Sequence, residues 1–241
     1  MAEQVLRGKR VVVTRPRQDA GSLVRGLEAL GAEVAVVPLI EIEATVEGDE
    51  FACLVESGDH DWIVFTSANA VRAVGPLLAR VRARLAAVGP VTAAALQALE
   101  LEPAFVPERF AATEIAAGLE PLQGTRVLLP QSEISEPLLA DELRARGATV
   151  DVVEAYRTVT RQPPEQELAL LARADAILLA SGSAARSLAL LPAAARALLV
   201  CIGPTTEQAA RAAGLHVGLV AEEATGHGMI QALVSRFGGS A

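Results

Sequence analysis

A chain of 241 residues with 51% apolar side chains can bury a large core, which excludes global disorder and leaves one large or two smaller domains as the expectation. Aromatic residues make up only 3% and the net charge is −8, which argues against base stacking and against nucleic acid as a partner. Lys9 is the sole lysine, so Schiff-base chemistry near a core is excluded. The other cations are arginines, suited to bidentate carboxylate binding, although GC-rich coding gives the same bias.

Short apolar runs alternate with helical patterns along the chain. Val11-Val12-Val13 precedes a helix through Leu23, Leu27 and Leu30 that stops at Gly31, and Glu33–Val37 follows as a second strand. Trp62–Phe65, Leu85–Val88, Val127–Leu129, Thr149–Val153, Ala176–Leu179 and Leu198–Ile202 repeat the theme. Runs that are apolar at nearly every position fit strands covered on both faces. Such alternation predicts an α/β fold with parallel sheets. Cys53 and Cys201 lie in or beside apolar runs and read as buried free thiols, with neither a disulfide framework nor a metal site. The start, MAEQVLRGKR, has no apolar h-region, and no uninterrupted apolar stretch of membrane-spanning length follows. A soluble, cytoplasmic protein with no membrane partner is expected, as a monomer.

The chain also repeats itself. Gly8–Val37 aligns without gaps on Gly124–Val153 at an offset of 116, with 11 of 30 pairs identical. At an offset of 114, Asp61–Ser67 matches Asp175–Ser181, and Val88–Thr92 matches Ile202–Thr206. Three matches in one order favour a duplicated α/β unit, hence two similar domains with a cleft between them. Pro38–Thr45 and Glu154–Pro164 follow equivalent strands, are polar or proline-containing, and read as linkers. Two arrangements remain open: each repeat folds by itself, or the repeats exchange their first strand–helix–strand piece.

In open parallel sheets, ligands bind beyond the carboxyl ends of the strands. Those ends carry Thr14-Arg15-Pro16, Thr66-Ser67-Ala68-Asn69, Gly89-Pro90-Val91-Thr92, Gln131-Ser132, Ser181-Gly182-Ser183 and Gly203-Pro204-Thr205-Thr206. Each precedes a helical pattern. Hydroxyl and amide side chains there serve as N-caps, or, with the free amides of the helix ends, suit anionic ligands at about 0.3–1 kcal/mol per helix end. There is no GxxxxGKS/T loop and no GxGxxG after a strand. His60, His216 and His227 are scattered without metal spacing and read as surface or capping residues. No Ser–His–Asp or Cys–His arrangement is evident, so an enzyme built this way would act mainly by positioning and electrostatics.

The ordered set VVVTRP (Val11–Pro16), VFTSANAV (Val64–Val71), AVGPVTAAAL (Ala87–Leu96), VVEAYRT (Val152–Thr158) and CIGPTTEQAA (Cys201–Ala210) resembles the uroporphyrinogen-III synthase family. The resemblance spans essentially the whole chain; one departure is Gln131, where relatives often carry a basic residue. The resemblance implies two α/β domains joined by a two-stranded connector. Domain one would be 1–38 with 160–241, domain two 44–153, and the linkers 39–43 and 154–159. It implies cofactor-free and metal-free cyclisation of the linear tetrapyrrole hydroxymethylbilane with inversion of the terminal ring and loss of water, a lyase reaction. It points to Tyr156 as the residue assisting loss of the hydroxyl. Arg15, Ser67, Asn69, Thr92, Ser181, Ser183 and Thr206 are then candidates for binding the substrate. A tetrapyrrole sensor without turnover would share the fold and stands as the alternative. The net charge of −8 requires local concentration of arginine if the ligand is polyanionic.

Overall fold

The structure, a computed structural model, describes residues 4–109, 112–119, 121–191 and 197–238. In chain order the elements are β1 (Arg10–Val13), α1 (Arg17–Ala29), β2 (Glu33–Val36), β3 (Ile40–Ala44), α2 (Gly48–Glu56), β4 (Trp62–Phe65), α3 (Ala68–Val74), β5 (Arg84–Ala87), α4 (Pro90–Gln97) and α5 (Ala112–Gly118). There follow β6 (Arg126–Ser132), α6 (Leu138–Ala145), β7 (Thr149–Thr160), α7 (Glu165–Ala172), β8 (Ala176–Leu179), α8 (Gly182–Ala189), β9 (Leu198–Cys201), α9 (Pro204–Ala212), β10 (Val217–Val220) and α10 (Gly226–Gly238). The chain forms two compact units, Met1–Glu41 with Val159–Ala241, and Ile42–Thr158.

One five-stranded sheet has the order β10-β9-β8-β1-β2, the other β3-β7-β6-β4-β5. The α/β class with parallel-dominated sheets follows from the sequence for a simple reason. Runs such as Val11–Val13, Trp62–Phe65 and Ala176–Leu179 are buried at every position, because helices cover both faces of each sheet. The cores reflect this: Val11 and Val13 pack with Leu23 and Leu27 of α1, while Val12, on the opposite face, joins Leu188 of α8.

The two sheets share their registers. Arg10 opposes Glu33 and Val11 opposes Val34; 116 residues on, Arg126 opposes Thr149 and Val127 opposes Val150. Trp62 opposes Arg84 as Ala176 opposes Leu198. Each register is pinned at the amino end by an aspartate. The backbone N–H of Arg10 donates to Asp175 Oδ2 at 2.8 Å, and that of Arg126 to Asp61 Oδ2 at 2.8 Å. The Asp175 carboxyl is held below the usual carboxylate range, chiefly by that backbone N–H.

Three local expectations change. The polar stretches read as linkers contain strands: β3 spans Ile40–Ala44 and β7 runs twelve residues through Thr160. Thr45 N–H donates to Ala155 O at 3.1 Å and Arg161 N–H to Leu39 O at 3.0 Å, an antiparallel pairing. The Ile-Glu-Ile-Glu alternation is therefore strand periodicity, and Glu43 meets Arg157 Nη2 across the pair at 2.8 Å. Cys53 is exposed, because Phe51 and Val55 define the buried face of α2 and leave it outside; Cys201 is buried, and desolvation pushes its thiol up to about 11. His60 is buried rather than superficial, with Nε2 2.8 Å from Asp151 Oδ2, a carboxylate that also accepts from Arg126 Nε at 2.9 Å. That pairing holds the Asp151 carboxyl below its ordinary range, the His60 hydrogen bond first among the causes. His216 and His227 are exposed.

Two outcomes test this description. Gly31 turns α1 into β2 at φ +88°, where a Cβ would stand 3.3 Å from the Arg7 backbone. Gly31→Ala is expected to cost about 1–2 kcal/mol in denaturant unfolding. Asp175 has a depressed carboxyl in the fold, so its contribution is present above the unfolded value and is lost as pH falls through the folded one. Unfolding measured from neutral to acid pH should show Asp175→Asn losing less stability on acidification than the unmodified chain.

Candidate active site

The unit formed by Ile42–Thr158 brings together the most distinctive group. β4 ends at Phe65, and Ser67 two residues later adopts extended backbone, φ −150° and ψ 150°. From there its Oγ accepts the N–H of Ala70 at 3.1 Å, capping α3. Tyr156 lies on β7, in register with Ser132 of β6. Tyr156 as a whole is 8% exposed and belongs to the same core cluster as Phe65, Ala70 and Val71. Its hydroxyl reaches the capping oxygen, with Tyr156 Oη and Ser67 Oγ 3.0 Å apart. The pairing spans 89 residues and joins the carboxyl end of one strand to the flank of another.

Thr92 is the third residue of α4 and is buried. Gly89 is the N-cap there, with Pro90 at the first helical position and no side-chain cap bond. The Thr92 hydroxyl makes no hydrogen bond to a described residue. Asn69, half-buried in α3, accepts from Arg72 Nη1 at 2.6 Å. Gln131 is buried on β6, opposite Glu154. The turn after β6 does not run directly into a helix, since α6 begins only at Leu138.

The other unit holds the remaining predicted residues in matching positions. Ser181 caps α8 by accepting from Ala184 N–H at 3.2 Å. Arg186 Nη2 donates to Ser183 Oγ at 3.2 Å, as Arg72 does to Asn69. Thr206 is buried at the third position of α9, behind Gly203 and Pro204, and again its hydroxyl does not cap. Thr14 donates to Leu178 O at 2.7 Å and so stitches β1 to β8 instead of capping α1. Arg15 follows it at the carboxyl end of β1. Burial lowers its guanidinium from the ordinary value, and Asp19 one turn into α1 opposes that shift. A partly desolvated guanidinium at a strand end is a ready anion partner.

Of six hydroxylated turns, then, only Ser67 and Ser181 cap with their side chains, Thr14 bonds a neighbouring strand, and the Thr92 and Thr206 hydroxyls make no hydrogen bond to a described residue. No group of three His, Cys, Asp or Glu side chains able to hold a metal occurs among the described residues. A groove of about 640 Å³ along β10 and α10, lined in part by His227, Gln231 and Arg236, contains none of the predicted residues. No helix among the described residues is long and apolar enough to cross a membrane.

The model of the family described as uroporphyrinogen-III synthase HemD matches residues 21–231. The chain belongs to the uroporphyrinogen-III synthase family. It is 32% identical over 187 residues to the uroporphyrinogen-III synthase of Synechococcus elongatus, covering 72% of this chain and 70% of that one. It is 29% identical over 253 residues to a porphyrin biosynthesis protein of Ruminiclostridium josui, spanning 97% of this chain but only 49% of that longer relative. The fold resembles that of uroporphyrinogen-III synthetase from Helicobacter pylori, with TM-score 0.68 at 16% identity, covering 95% of this chain and 99% of that one. It also resembles a mutant uroporphyrinogen III synthase from Thermus thermophilus, with TM-score 0.57 at 21% identity, covering 95% and 98%. Family membership places the chain in tetrapyrrole biosynthesis, consistent with strand-end turns rich in hydroxyls and poor in acid–base groups.

The geometry separates capping from non-capping hydroxyls. Ser67→Ala and Ser181→Ala should each cost about 0.5–2 kcal/mol in thermal unfolding, the scale of a lost N-cap. Thr92→Val and Thr206→Val preserve shape and remove a hydroxyl with no partner among the described residues, so the melting temperature should hold or rise.

Proposed function

We propose that this uroporphyrinogen-III synthase family member closes hydroxymethylbilane to uroporphyrinogen III, with Tyr156 as the hydrogen-bond donor to the departing hydroxyl. The single observation behind this reading is a phenol at the carboxyl edge of a parallel sheet, held by a hydrogen bond to Ser67 Oγ, in a chain whose family performs this chemistry. Tyr156 is the sole tyrosine of the chain.

The steps then run as follows. The Tyr156 O–H donates to the hydroxymethyl oxygen as the carbon–oxygen bond breaks, and the oxygen leaves with a proton as water. The pyrrole nitrogen supplies the electron pair, giving an azafulvene cation. The far ring attacks through its substituted carbon, the spiro intermediate fragments, and reclosure leaves that ring inverted. The proton given up by the ring carbon on re-aromatisation balances the one taken by the departing oxygen. A preorganised donor at developing charge acts without reorganisation when the bond breaks. The remaining task is conformational, holding both ends of a flexible polyanion. We assign that to Arg15, Asn69, Thr92, Ser181, Ser183 and Thr206, whose hydroxyl, amide and guanidinium groups suit carboxylates.

We also read the two units as products of internal duplication, with domains near 1–38 plus 160–241 and 44–153. The shared registers at offsets of 116 and 114 support this, as does the antiparallel β3–β7 pair that straddles both boundaries.

Freshly made hydroxymethylbilane, incubated with the protein and oxidised, should yield mainly the type III isomer. A ratio identical to buffer would overturn the reading in favour of a binding protein. Tyr156→Phe should lower kcat about 10²–10³-fold, the scale of removing one preorganised donor, with little change in melting temperature. Thr92→Val and Thr206→Val should act mainly on KM.

A further inference from the structure

We infer that Ser67 is a positioning residue that donates its own proton to Tyr156 Oη and thereby leaves the tyrosine's proton free for the substrate. The inference rests on the proposed role of Tyr156. It assigns Ser67 a task different from contacting substrate carboxylates.

A serine hydroxyl has one proton and two lone pairs. One lone pair of Ser67 Oγ is taken by the N–H of Ala70. The Tyr156 oxygen, at 3.0 Å, is the other hydrogen-bond partner of that hydroxyl among the described residues. If the tyrosine were the donor, Ser67 would accept twice and its own proton would have no acceptor among those residues. If serine is the donor, the bonds run Ala70 N–H to Ser67 Oγ and Ser67 O–H to Tyr156 Oη, and it is the phenol proton that has no acceptor among those residues and stays available to a ligand, which is the arrangement the proposed role of Tyr156 requires. Hydrogen bonds arranged head to tail polarise one another, so a phenol oxygen that already accepts a bond is a better donor. The backbone N–H of Glu133 donates to the Tyr156 carbonyl at 3.2 Å, and the ring is packed beside Phe65 and Val71, so the phenol has little freedom to turn away.

The second repeat supplies an internal comparison. Ser181 has the same extended backbone, φ −156° and ψ 154°, and the same cap to Ala184. Ser181 Oγ makes no further hydrogen bond to a described residue, and Tyr156, the sole tyrosine, lies in the other unit. One fold element therefore occurs twice, once as a bare cap and once as a cap wired to a phenol. Capping explains the serine at both places, and only the phenol pairing distinguishes Ser67.

The test combines kinetics on hydroxymethylbilane with Raman spectroscopy of the single tyrosine. The intensity ratio of the tyrosine Fermi doublet rises when the phenol oxygen accepts a hydrogen bond and falls when the phenol only donates. The unmodified protein should show an accepting phenol, and Ser67→Ala should lower the ratio. Ser67→Ala should also reduce kcat about 5- to 30-fold, the effect of one lost hydrogen bond, with KM changing less than about twofold. Ser67→Thr, which keeps the hydroxyl, should restore both. Adding Ser67→Ala to Tyr156→Phe should cost nothing further in kcat, because the serine acts through the phenol. A donor-only doublet in the unmodified protein overturns the inference even if Ser67→Ala does not fold. So does a Ser67→Ala variant with full kcat while Tyr156→Phe is impaired. Full kcat in Tyr156→Phe would instead remove the Tyr156 reading itself.

Discussion

The parallel register at the amino ends of the strands is the constraint on which the candidate site depends. Asp61 and Asp175 each receive a backbone N–H from the neighbouring strand and fix which residues lie side by side along β6–β4 and β1–β8. A one-residue slip would turn every buried position of those strands to the opposite face. With the register fixed, the carboxyl ends are fixed too, and with them Ser67 beyond β4, Thr92 beyond β5 and Arg15 beyond β1. Tyr156 needs one thing more. β7 must continue past the length of its equivalent β2, which it does because β3 pairs alongside it. The phenol is thus carried on a strand, a rigid mount compared with the loop that the polar composition suggested.

The repeats are alike in frame and unlike in chemistry. Where one half has Arg15 the other has Gln131, and Tyr156, the sole tyrosine, stands in one unit alone. A guanidinium stands at the equivalent strand end of one unit only, and a phenol in the other only. The registers, the serine caps and the glycine turns recur in both units, and the differences fall at strand ends. Thr92 and Thr206, by contrast, are the same in both halves, each buried at the third position of its helix.

Much of the frame was readable because its causes are local. Val11–Val13 and Ala176–Leu179 are apolar at every position, Gly31 and Gly147 mark the helix-to-strand turns, and the offset of 116 showed the repeat. Pattern and composition alone did not mark β3, where the resemblance implied a two-stranded connector, because its Ile-Glu-Ile-Glu pattern has one wet face and sits beside prolines and acids that also mark loops. The burial of His60 was missed because its partner, Asp151, comes from β7 and is far away in sequence. The site was half visible. Each hydroxyl could be named from its turn, but nothing local reveals that Ser67 touches Tyr156, or that Gly89 and Gly203, not the threonines, cap their helices.

The central claim is that the tyrosine hydroxyl faces the reacting end of the substrate. The most direct measurement is a crystal structure with a bound, unreactive bilane that retains the hydroxymethyl group. The account predicts Tyr156 Oη within hydrogen-bond distance, about 2.6–3.2 Å, of that hydroxyl, with Ser67 Oγ still on the far side of the phenol oxygen. A complex in which the hydroxymethyl group lies against the threonine turns, with Tyr156 out of reach, would contradict it.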